Sequence, residues 1–301
     1  MSQELDFTGE RYVPTEKGQI EAEHLHRYHI ARQLAKGKSV LDIASGEGYG
    51  SALISELAEK VIGVDIDEQS VKHANKKYKS ENIEFRQGSC ENIPIDDSTV
   101  DMVVSFETIE HHDKHDQMMQ EIQRVLKPDG VLLISSPNKL EYSDANNYSN
   151  PFHVKELYKD QFEQLLRKHF KYIDTYGQRI IYGSGIIGDK GQRPFSVFFN
   201  EENDIISSAS LNHPQYDIAL ASNVKLPKLQ NSFFEQSVNE SDTALQLNEH
   251  LNISNKQIES LNHSIFERDV QIKTLNHSLS ERDGQIETLN HSLSERDSQI
   301  E

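Results

Sequence analysis

The sequence has little sulfur chemistry and no long apolar run. Cys90 is its single cysteine, and tryptophan is absent from all 301 residues. One thiol can form neither an intramolecular disulfide nor a thiolate metal cage. Aliphatic runs such as 131–134 fall far short of the ~20 residues that cross a bilayer. The first residues also lack the basic start and apolar centre of a signal peptide, so we expect a cytoplasmic protein without a transmembrane segment.

Positive charge is scarce as well. The chain has 31 Lys and Arg against 49 Asp and Glu, a formal net charge of −18. Proteins that bind DNA or RNA concentrate Lys and Arg on one face, so this balance argues against a nucleic-acid partner. It argues equally against direct electrostatic attachment to an anionic membrane. The hydrophobic fraction of 35% is low and indicates that part of the chain contributes no core.

The last third of the chain is a repeat. The sequence that starts at Leu261 recurs nearly unchanged at Leu275 and Leu289, a spacing of two heptads. Aliphatic residues therefore keep a 3.5-residue period, which predicts a coiled coil over 244–301 and a homo-oligomer formed through it. Arginine at every second d position weakens the seam, so a solvated single helix or a disordered tail remains the alternative. The residues at a and d do not decide between a dimer and a trimer.

Residues 38–222 alternate short β-branched runs with amphipathic stretches. Such alternation predicts a doubly wound α/β domain with a parallel sheet covered on both faces. Residues 1–37 precede this domain as a lid or helix, and 223–243 follow it as a polar linker. The segment 183–213 is too long for an ordinary connection, so we interpret it as a loop insertion on the substrate side or as disorder. The predicted strands are 39–44, 61–65, 83–87, 100–106, 131–135, 172–181 and 216–222, and the predicted helices lie near 49–59, 68–80, 114–126 and 155–169.

A glycine loop follows the first predicted strand. Gly46 and Gly48 lie between that strand and the next helix, at the edge of the sheet where ligands bind. Asp65 ends the second strand, where a carboxylate can accept hydrogen bonds from ribose hydroxyls. Dinucleotide-binding folds share both features, but their fingerprint has a third glycine where this chain has Ser51. Here, in addition, Asp42 precedes the first glycine by four residues.

The Asp-x-x-x-Gly-x-Gly form resembles motif I of class I S-adenosylmethionine-dependent methyltransferases. The resemblance continues in order through 88–94, through 100–105 with Glu110 and His111, and through 124–134. It implies a Rossmann-like, seven-stranded methyltransferase sheet and S-adenosyl-L-methionine as the cofactor.

The resemblance also implies a set of cofactor contacts. Asp42, Gly46 and Gly48 would surround the methionine part. Asp65 would hold the ribose, and Ile66 would pack on the adenine.

Recognition of the adenine amino group departs from the family pattern. Ser89 stands where the family often has Asp, which leaves this contact to the Ser89 hydroxyl and the Cys90 backbone. The Cys90 side chain itself is interpreted as a small apolar filler. The remaining residues predicted to bind the cofactor are Ala44, Phe106, Arg11 and Tyr12.

A histidine-rich segment, 107–116, follows the fourth predicted strand. It resembles the equivalent loop of ubiquinone-biosynthesis O-methyltransferases, and its paired histidines resemble those of sugar O-methyltransferases. The resemblance implies that His111 is the general base, with His112 as the second candidate. The alternative is a capping or solvated histidine at a helix start. Seven His, Asp and Glu residues in these ten positions also suggest a metal site. Successive loop residues rarely converge on one ion, so we expect no metal here.

Three further segments, 7–14, 23–28 and 150–157, resemble a subgroup encoded in bacterial polysaccharide and glycosylation loci. Some members are fused through coiled coils to glycosyltransferases. The resemblance implies that Tyr28 and His153 contact the substrate, and that the acceptor is a sugar, a nucleotide sugar or a glycan. It also implies that a glycosyltransferase is fused to the enzyme or associated with it. Through such partners, the enzyme would associate peripherally with the inner membrane.

The leading hypothesis is therefore a sugar or glycan O-methyltransferase. A quinone-like small molecule is the alternative acceptor. A non-catalytic scaffold with a methyltransferase fold is the alternative from another class.

Overall fold

The computed structural model describes residues 12–182, 196–201 and 204–300, which fall into two compact units, Met1–Glu240 and Ser241–Glu301. The helices are α1 (Gln19–Leu34), α2 (Tyr49–Ser55), α3 (Glu68–Lys77), α4 (His115–Val125), α5 (Lys159–His169) and α6 (Asp242–Ile300). The strands are β1 (Ser39–Ile43), β2 (Lys60–Asp65), β3 (Ile83–Gln87), β4 (Val100–Ser105), β5 (Leu126–Pro137), β6 (Tyr172–Gln178), β7 (Val197–Glu201), β8 (Asp204–Ser208) and β9 (Tyr216–Ser222).

The first unit is built on a seven-stranded mixed sheet. Its strand order is β3-β2-β1-β4-β5-β9-β6, and the five strands from β3 to β5 are parallel. Strand β9 runs antiparallel to both β5 and β6, which differs from the parallel sheet expected from the sequence. The reason lies in the connections, because a parallel neighbour needs a crossover such as α4 or α5. The described residues between β6 and β9 contain no such helix, so the chain returns antiparallel.

Both faces of the sheet are covered, because apolar side chains alternate along each buried strand. Leu41 and Val103 face the core under α4 and α5, to which those helices contribute residues such as Met118 and Phe162. The neighbouring strand residues face the opposite core, where α1 and α2 pack. This doubly wound arrangement brings the carboxyl ends of β1, β2, β4 and β5 to one edge, where the candidate site lies.

The region between β6 and β9 contains structure that was not expected. Strands β7 and β8 form an antiparallel hairpin within 183–213, the segment whose length predicts a loop insertion on the substrate side or disorder. Residues 183–195 and 202–203 of that segment lie outside the described residues.

The second unit is the 59-residue helix α6, which includes the whole predicted repeat up to Ile300. Its apolar side chains are exposed within the single chain, for example Ile272 at 53% and Leu275 at 68%. In the part of the chain that the structure describes, no helix is both long and apolar enough to span a membrane.

Candidate active site

The loop between β1 and α2 has a backbone that favours glycine. Gly46 and Gly48 adopt φ of 55° and 97°, and Ala44 adopts 61°. A Cβ on Gly46 would have no heavy atom within 4 Å, so the loop leaves open space there for a ligand. A Cβ on Gly48 would instead lie 2.8 Å from the Cβ of Ala74, so this glycine permits close packing on α3. The two glycines therefore have different roles, one beside the ligand space and one in packing.

Asp42 lies in β1, directly before this loop. Its side chain is fully buried, and its carboxylate accepts hydrogen bonds from Ser51 Oγ at 2.6 Å and from Tyr28 Oη at 3.3 Å. Burial, partly offset by these two donors, raises the pKa of Asp42 to about 7. Tyr28 is also buried, and its ring packs so closely on Gly50 that a Cβ there would lie 2.1 Å from it. The structure thus places both residues in the support of the loop, and their predicted direct contacts with cofactor and substrate stay predictions.

Asp65, predicted to hold the ribose, ends β2 beside the glycine loop, and Ile66, predicted to pack on the adenine, follows it. The Asp65 carboxylate accepts hydrogen bonds from the backbone N–H of Gly46 at 2.8 Å and of Asp67 at 2.9 Å, which fixes it at the mouth of the loop. Ile66 next to it is 73% exposed, although it is aliphatic. An exposed apolar side chain beside a fixed carboxylate suits an adenosine, which presents a flat ring and two ribose hydroxyls. These residues fit S-adenosyl-L-methionine.

Ser89 and Cys90 follow β3 at the same edge. The Ser89 hydroxyl accepts a hydrogen bond from the backbone N–H of Glu91 at 3.2 Å. Cys90 is partly buried and packs against the core, and its burial followed by the charge of Glu91 raises the pKa of its thiol to about 11. The thiol therefore stays protonated at neutral pH, as expected of a small filler rather than a nucleophile.

Two aromatic residues predicted to bind the cofactor, Tyr12 and Phe106, pack against Tyr49 and Tyr28. Tyr12 is buried and stacks on His24 with ring centroids 5.1 Å apart, and its edge meets Tyr49 at 5.0 Å. Phe106 is buried at the end of β4 and meets Tyr28 edge to face at 5.0 Å. Arg11 lies outside the described residues.

Glu47 is a loop residue that was missed from the sequence. Its buried carboxylate accepts hydrogen bonds from Lys77 Nζ at 2.8 Å and Tyr78 Oη at 2.6 Å, and lies 2.8 Å from His73 Nε2. Its position between the two glycines is a sequence signal that it belongs to the loop. Its partners lie 26 to 31 residues away, so local spacing does not predict these contacts. Glu47 therefore ties the glycine loop to α3 and the residue that follows it.

The paired histidines point in different directions. His111 Nδ1 lies 3.0 Å from the carbonyl oxygen of Phe152, which can only accept, so Nδ1 donates and, in the neutral imidazole, Nε2 carries the lone pair. His112 Nδ1 instead accepts from the backbone N–H of Lys114, and its Nε2 lies 3.3 Å from Met118 Sδ and 3.5 Å from Cys90 Sγ. Burial, followed by the charge of His115, lowers the pKa of His112. The geometry thus suits His111 better as a base.

His153 lies beside His111, with ring centroids 5.2 Å apart. Its Nδ1 is 2.6 Å from Glu156 Oε1, and its Nε2 is 3.0 Å from the amide nitrogen of Asn150. Glu110 is buried below the pair, and burial followed by the charge of Glu107 raises the pKa of its carboxyl group well above the usual range. Each of Glu110, His111 and His153 offers a ligand atom within 4.8 Å of the others, a group that can hold a metal ion. His153 lies far from Glu110 and His111 in the sequence, so local spacing does not reveal this group, and the expected absence of a metal stays a prediction.

Known proteins are similar to this chain in sequence and in fold. A family model for the methyltransferase domain matches residues 41–134. A probable S-adenosylmethionine-dependent methyltransferase of Mycolicibacterium smegmatis is 38% identical over 189 residues, which cover 60% of this chain and 71% of the relative. A probable S-adenosylmethionine-dependent methyltransferase of Mycobacterium tuberculosis is 36% identical over 167 residues, or 54% of this chain and 60% of the relative.

Two solved structures share this fold. The YcgJ protein of Bacillus subtilis aligns with a TM-score of 0.50 at 20% identity, over 67% of this chain and 100% of that one. A methyltransferase of Archaeoglobus fulgidus gives the same TM-score and identity over 67% and 92% of the two chains. The chain belongs to the S-adenosylmethionine-dependent methyltransferases, and its cofactor is S-adenosyl-L-methionine.

A more distant group of relatives has names that specify a substrate. The phthiotriol/phenolphthiotriol dimycocerosates methyltransferase of Mycobacterium tuberculosis is 29% identical over 111 residues, 36% of this chain and 41% of the relative.

Proposed function

We propose that this methyltransferase transfers the methyl group to a hydroxyl of a sugar, a nucleotide sugar or a glycan. The observation that carries the proposal is the polar surround of His111. His153, Glu110, Asn150 and Tyr142 lie around it through the contacts described above and through stacking of Tyr142 on His153 at 5.4 Å. A site lined by hydrogen-bonding side chains suits a hydroxyl-rich acceptor better than an apolar quinone ring.

His111 would act as the general base. When bound, S-adenosyl-L-methionine supplies a methyl group on a sulfonium centre, so the protein has to align the acceptor and take up its proton. The Nδ1 hydrogen bond to Phe152 fixes the tautomer in which Nε2 accepts that proton. Glu110 Oε1 lies 3.9 Å from Nε2, so the Glu110 carboxyl group adjoins the imidazolium that forms.

The test is methyl transfer from labelled cofactor to nucleotide sugars and surface glycan extracts, compared between wild type and two variants. His111→Ala should lower the turnover rate by about 10²–10⁴-fold, the usual contribution of a general base. His112→Ala, which removes the neighbouring ring that faces Met118, should have a much smaller effect. Equal losses in both variants would contradict the assignment of the base. If only quinone-like or long-chain alcohol acceptors are labelled, the proposed sugar acceptor is wrong. If the protein binds the cofactor but methylates no acceptor, the result favours a non-catalytic scaffold.

We also propose that the repeat in α6 forms a coiled coil between copies of this chain, and that it links the enzyme to a fused or associated glycosyltransferase. The support is the two-heptad repeat and the exposed aliphatic residues that follow it. Cytoplasmic location, with contact to the inner membrane only through such partners, belongs to the same proposal.

A further inference from the structure

A buried arginine lies at the ligand edge of the sheet and has no role in the site described so far. Arg27, on α1, is only 1% exposed. Its Nη1 donates to Gln178 Oε1 at 2.7 Å, and its guanidinium carbon lies 4.9 Å from the ring centroid of Tyr216 and 5.9 Å from that of Phe106. Gln178 ends β6, Phe106 follows β4 and Tyr216 begins β9. Four elements thus hold this guanidinium at one place.

Two of its nitrogens have no partner. In the described part of the chain, Arg27 Nε and Nη2 are buried and make no hydrogen bond. Leaving charged donors unsatisfied in the interior is costly, so a partner is expected when the site is in use. Burial lowers the pKa of Arg27 while Glu107 and Glu23 raise it, with a net rise, so the guanidinium stays charged. The Glu107 carboxylate is instead hydrogen-bonded by Ser135 Oγ at 2.6 Å.

The geometry of these two donors selects the kind of ligand. Nε and Nη2 form one edge of the planar guanidinium, and their N–H bonds on that edge are parallel. Such a fork matches the two oxygens of a carboxylate or a phosphate in a bidentate contact. A neutral hydroxyl would satisfy only one of the two donors.

A chain of ring contacts connects Arg27 to the acceptor side of the site. Tyr216, over which the guanidinium lies, has its ring centroid 5.9 Å from that of Tyr142. Tyr142 stacks on His153, which adjoins His111. Asp65 instead ends β2, and Ile66 follows it; three strands (β1, β4 and β5) separate β2 from β9 in the sheet. The contact of Arg27 with Tyr216 therefore leads toward the proposed base, whereas its contact with Phe106 leads toward Tyr28 and the glycine loop.

We propose that Arg27 binds a carboxylate or phosphate group of the acceptor, so that the substrate is an acidic sugar, a sugar phosphate or a glycan that carries such a group. This inference rests on the proposed function, whose acceptor class it narrows. The cofactor also has a carboxylate, on its methionine part, so the test has to separate the two sources of the anion.

The first arm measures binding of matched probes by calorimetry. The full-length protein is saturated with S-adenosylhomocysteine and titrated with D-glucuronate, glucose 6-phosphate and D-glucose. At least one of the two anionic probes should bind more tightly than D-glucose by on the order of tenfold to a hundredfold, as expected of charge-assisted hydrogen bonds. If wild type binds none of them better than D-glucose, the proposal is overturned without reference to any variant.

Variants then assign the preference to Arg27. Arg27→Gln should abolish it, and Arg27→Lys, which keeps the charge but loses the fork, should retain only part of it. Arg32→Gln is the matched control, because Arg32 lies on the same helix but its guanidinium pairs with Glu56 at 2.7 Å. Thermal melts check that each variant is folded. A preference that survives in folded Arg27→Gln would overturn the proposal.

The second arm tests the cofactor as the source of the anion. Wild type and Arg27→Gln are compared for binding of S-adenosylmethionine and of its decarboxylated analogue. We expect the ratio of the two affinities to be the same in both proteins. If the ratio collapses only in Arg27→Gln, Arg27 holds the cofactor carboxylate and the acceptor assignment is wrong. Neither arm needs turnover, so failure of methyl transfer would count against the proposed function and not against this inference.

Discussion

Asp42 shows how a single buried carboxyl group makes stability depend on pH. Burial raises its pKa to about 7, above the usual value of 3.8, so folding favours the protonated form. The stability that this preference contributes is fully present below pH ~4 and is lost as the pH rises through about 7. A shift of this size corresponds to roughly 4 kcal/mol. We therefore expect the free energy of unfolding of wild type, relative to Asp42→Asn, to fall between pH 4 and pH 7 by an amount of that order.

The measurement is urea unfolding of both proteins at several pH values, because the difference between them isolates this group from all other carboxylates. Asp96→Asn, at an exposed position, is the control and should give a difference that hardly changes with pH. A wild-type curve parallel to that of Asp42→Asn would show that the folded pKa of Asp42 is ordinary.

At the scale of elements, Glu47 joins the glycine loop to the end of α3. Removing it leaves Lys77 and Tyr78 without their buried acceptor, so the loop that faces the cofactor loses its anchor. We expect Glu47→Ala to cost about 1.5–3 kcal/mol of unfolding free energy, as for hydrogen bonds to a charged group. Its affinity for S-adenosylhomocysteine, measured by calorimetry, should fall by on the order of tenfold.

Glu68→Ala provides the comparison for this prediction. Glu68 lies on the same helix and pairs with Lys72 at 2.7 Å, but both side chains are more than half exposed, at 58% and 70%. Exposed pairs of this kind contribute little, so stability and affinity should change by less than about 0.5 kcal/mol. If Glu47→Ala binds the cofactor product as tightly as Glu68→Ala does, Glu47 is not an anchor of the loop.

The same elements show which parts of the fold and site can be predicted from sequence. The Asp42–Gly48 loop and Asp65 follow from local spacing, because strand, turn and helix are short-range patterns. Arg27 and Gln178 touch across 151 residues, and neither has a local pattern that announces the contact. The antiparallel β9 was missed for the same reason, since its direction depends on the connection and not on its own apolar residues. His153 was expected near the substrate only by resemblance, and its contact with His111 depends on how the segment after β5 folds back.

For the whole molecule, the apolar residues of α6 distinguish a coiled coil, in which some of them are buried, from a solvated single helix, in which none is. In the two-heptad repeat Ile272 falls at position a and Val270 at position f, and the two are almost equally exposed in the single chain, at 53% and 48%. A solvated single helix would tolerate lysine equally at both. In a coiled coil only Ile272 is buried, and burying such a side chain stabilises by roughly 1.5–3 kcal/mol in each chain. Ile272→Lys should therefore raise the dissociation constant of the oligomer by on the order of a hundredfold or more.

Sedimentation equilibrium of the full-length protein over a range of concentrations separates these outcomes. Wild type and Val270→Lys should associate alike, and Ile272→Lys should shift toward monomer. Both variants add one positive charge to a chain whose net charge is −18, so a difference between them comes from packing and not from charge. A wild type that stays monomeric at every concentration would contradict the coiled coil. Equal weakening by both substitutions would place the contact on another face of the helix, since the heptad register alone distinguishes Ile272 from Val270.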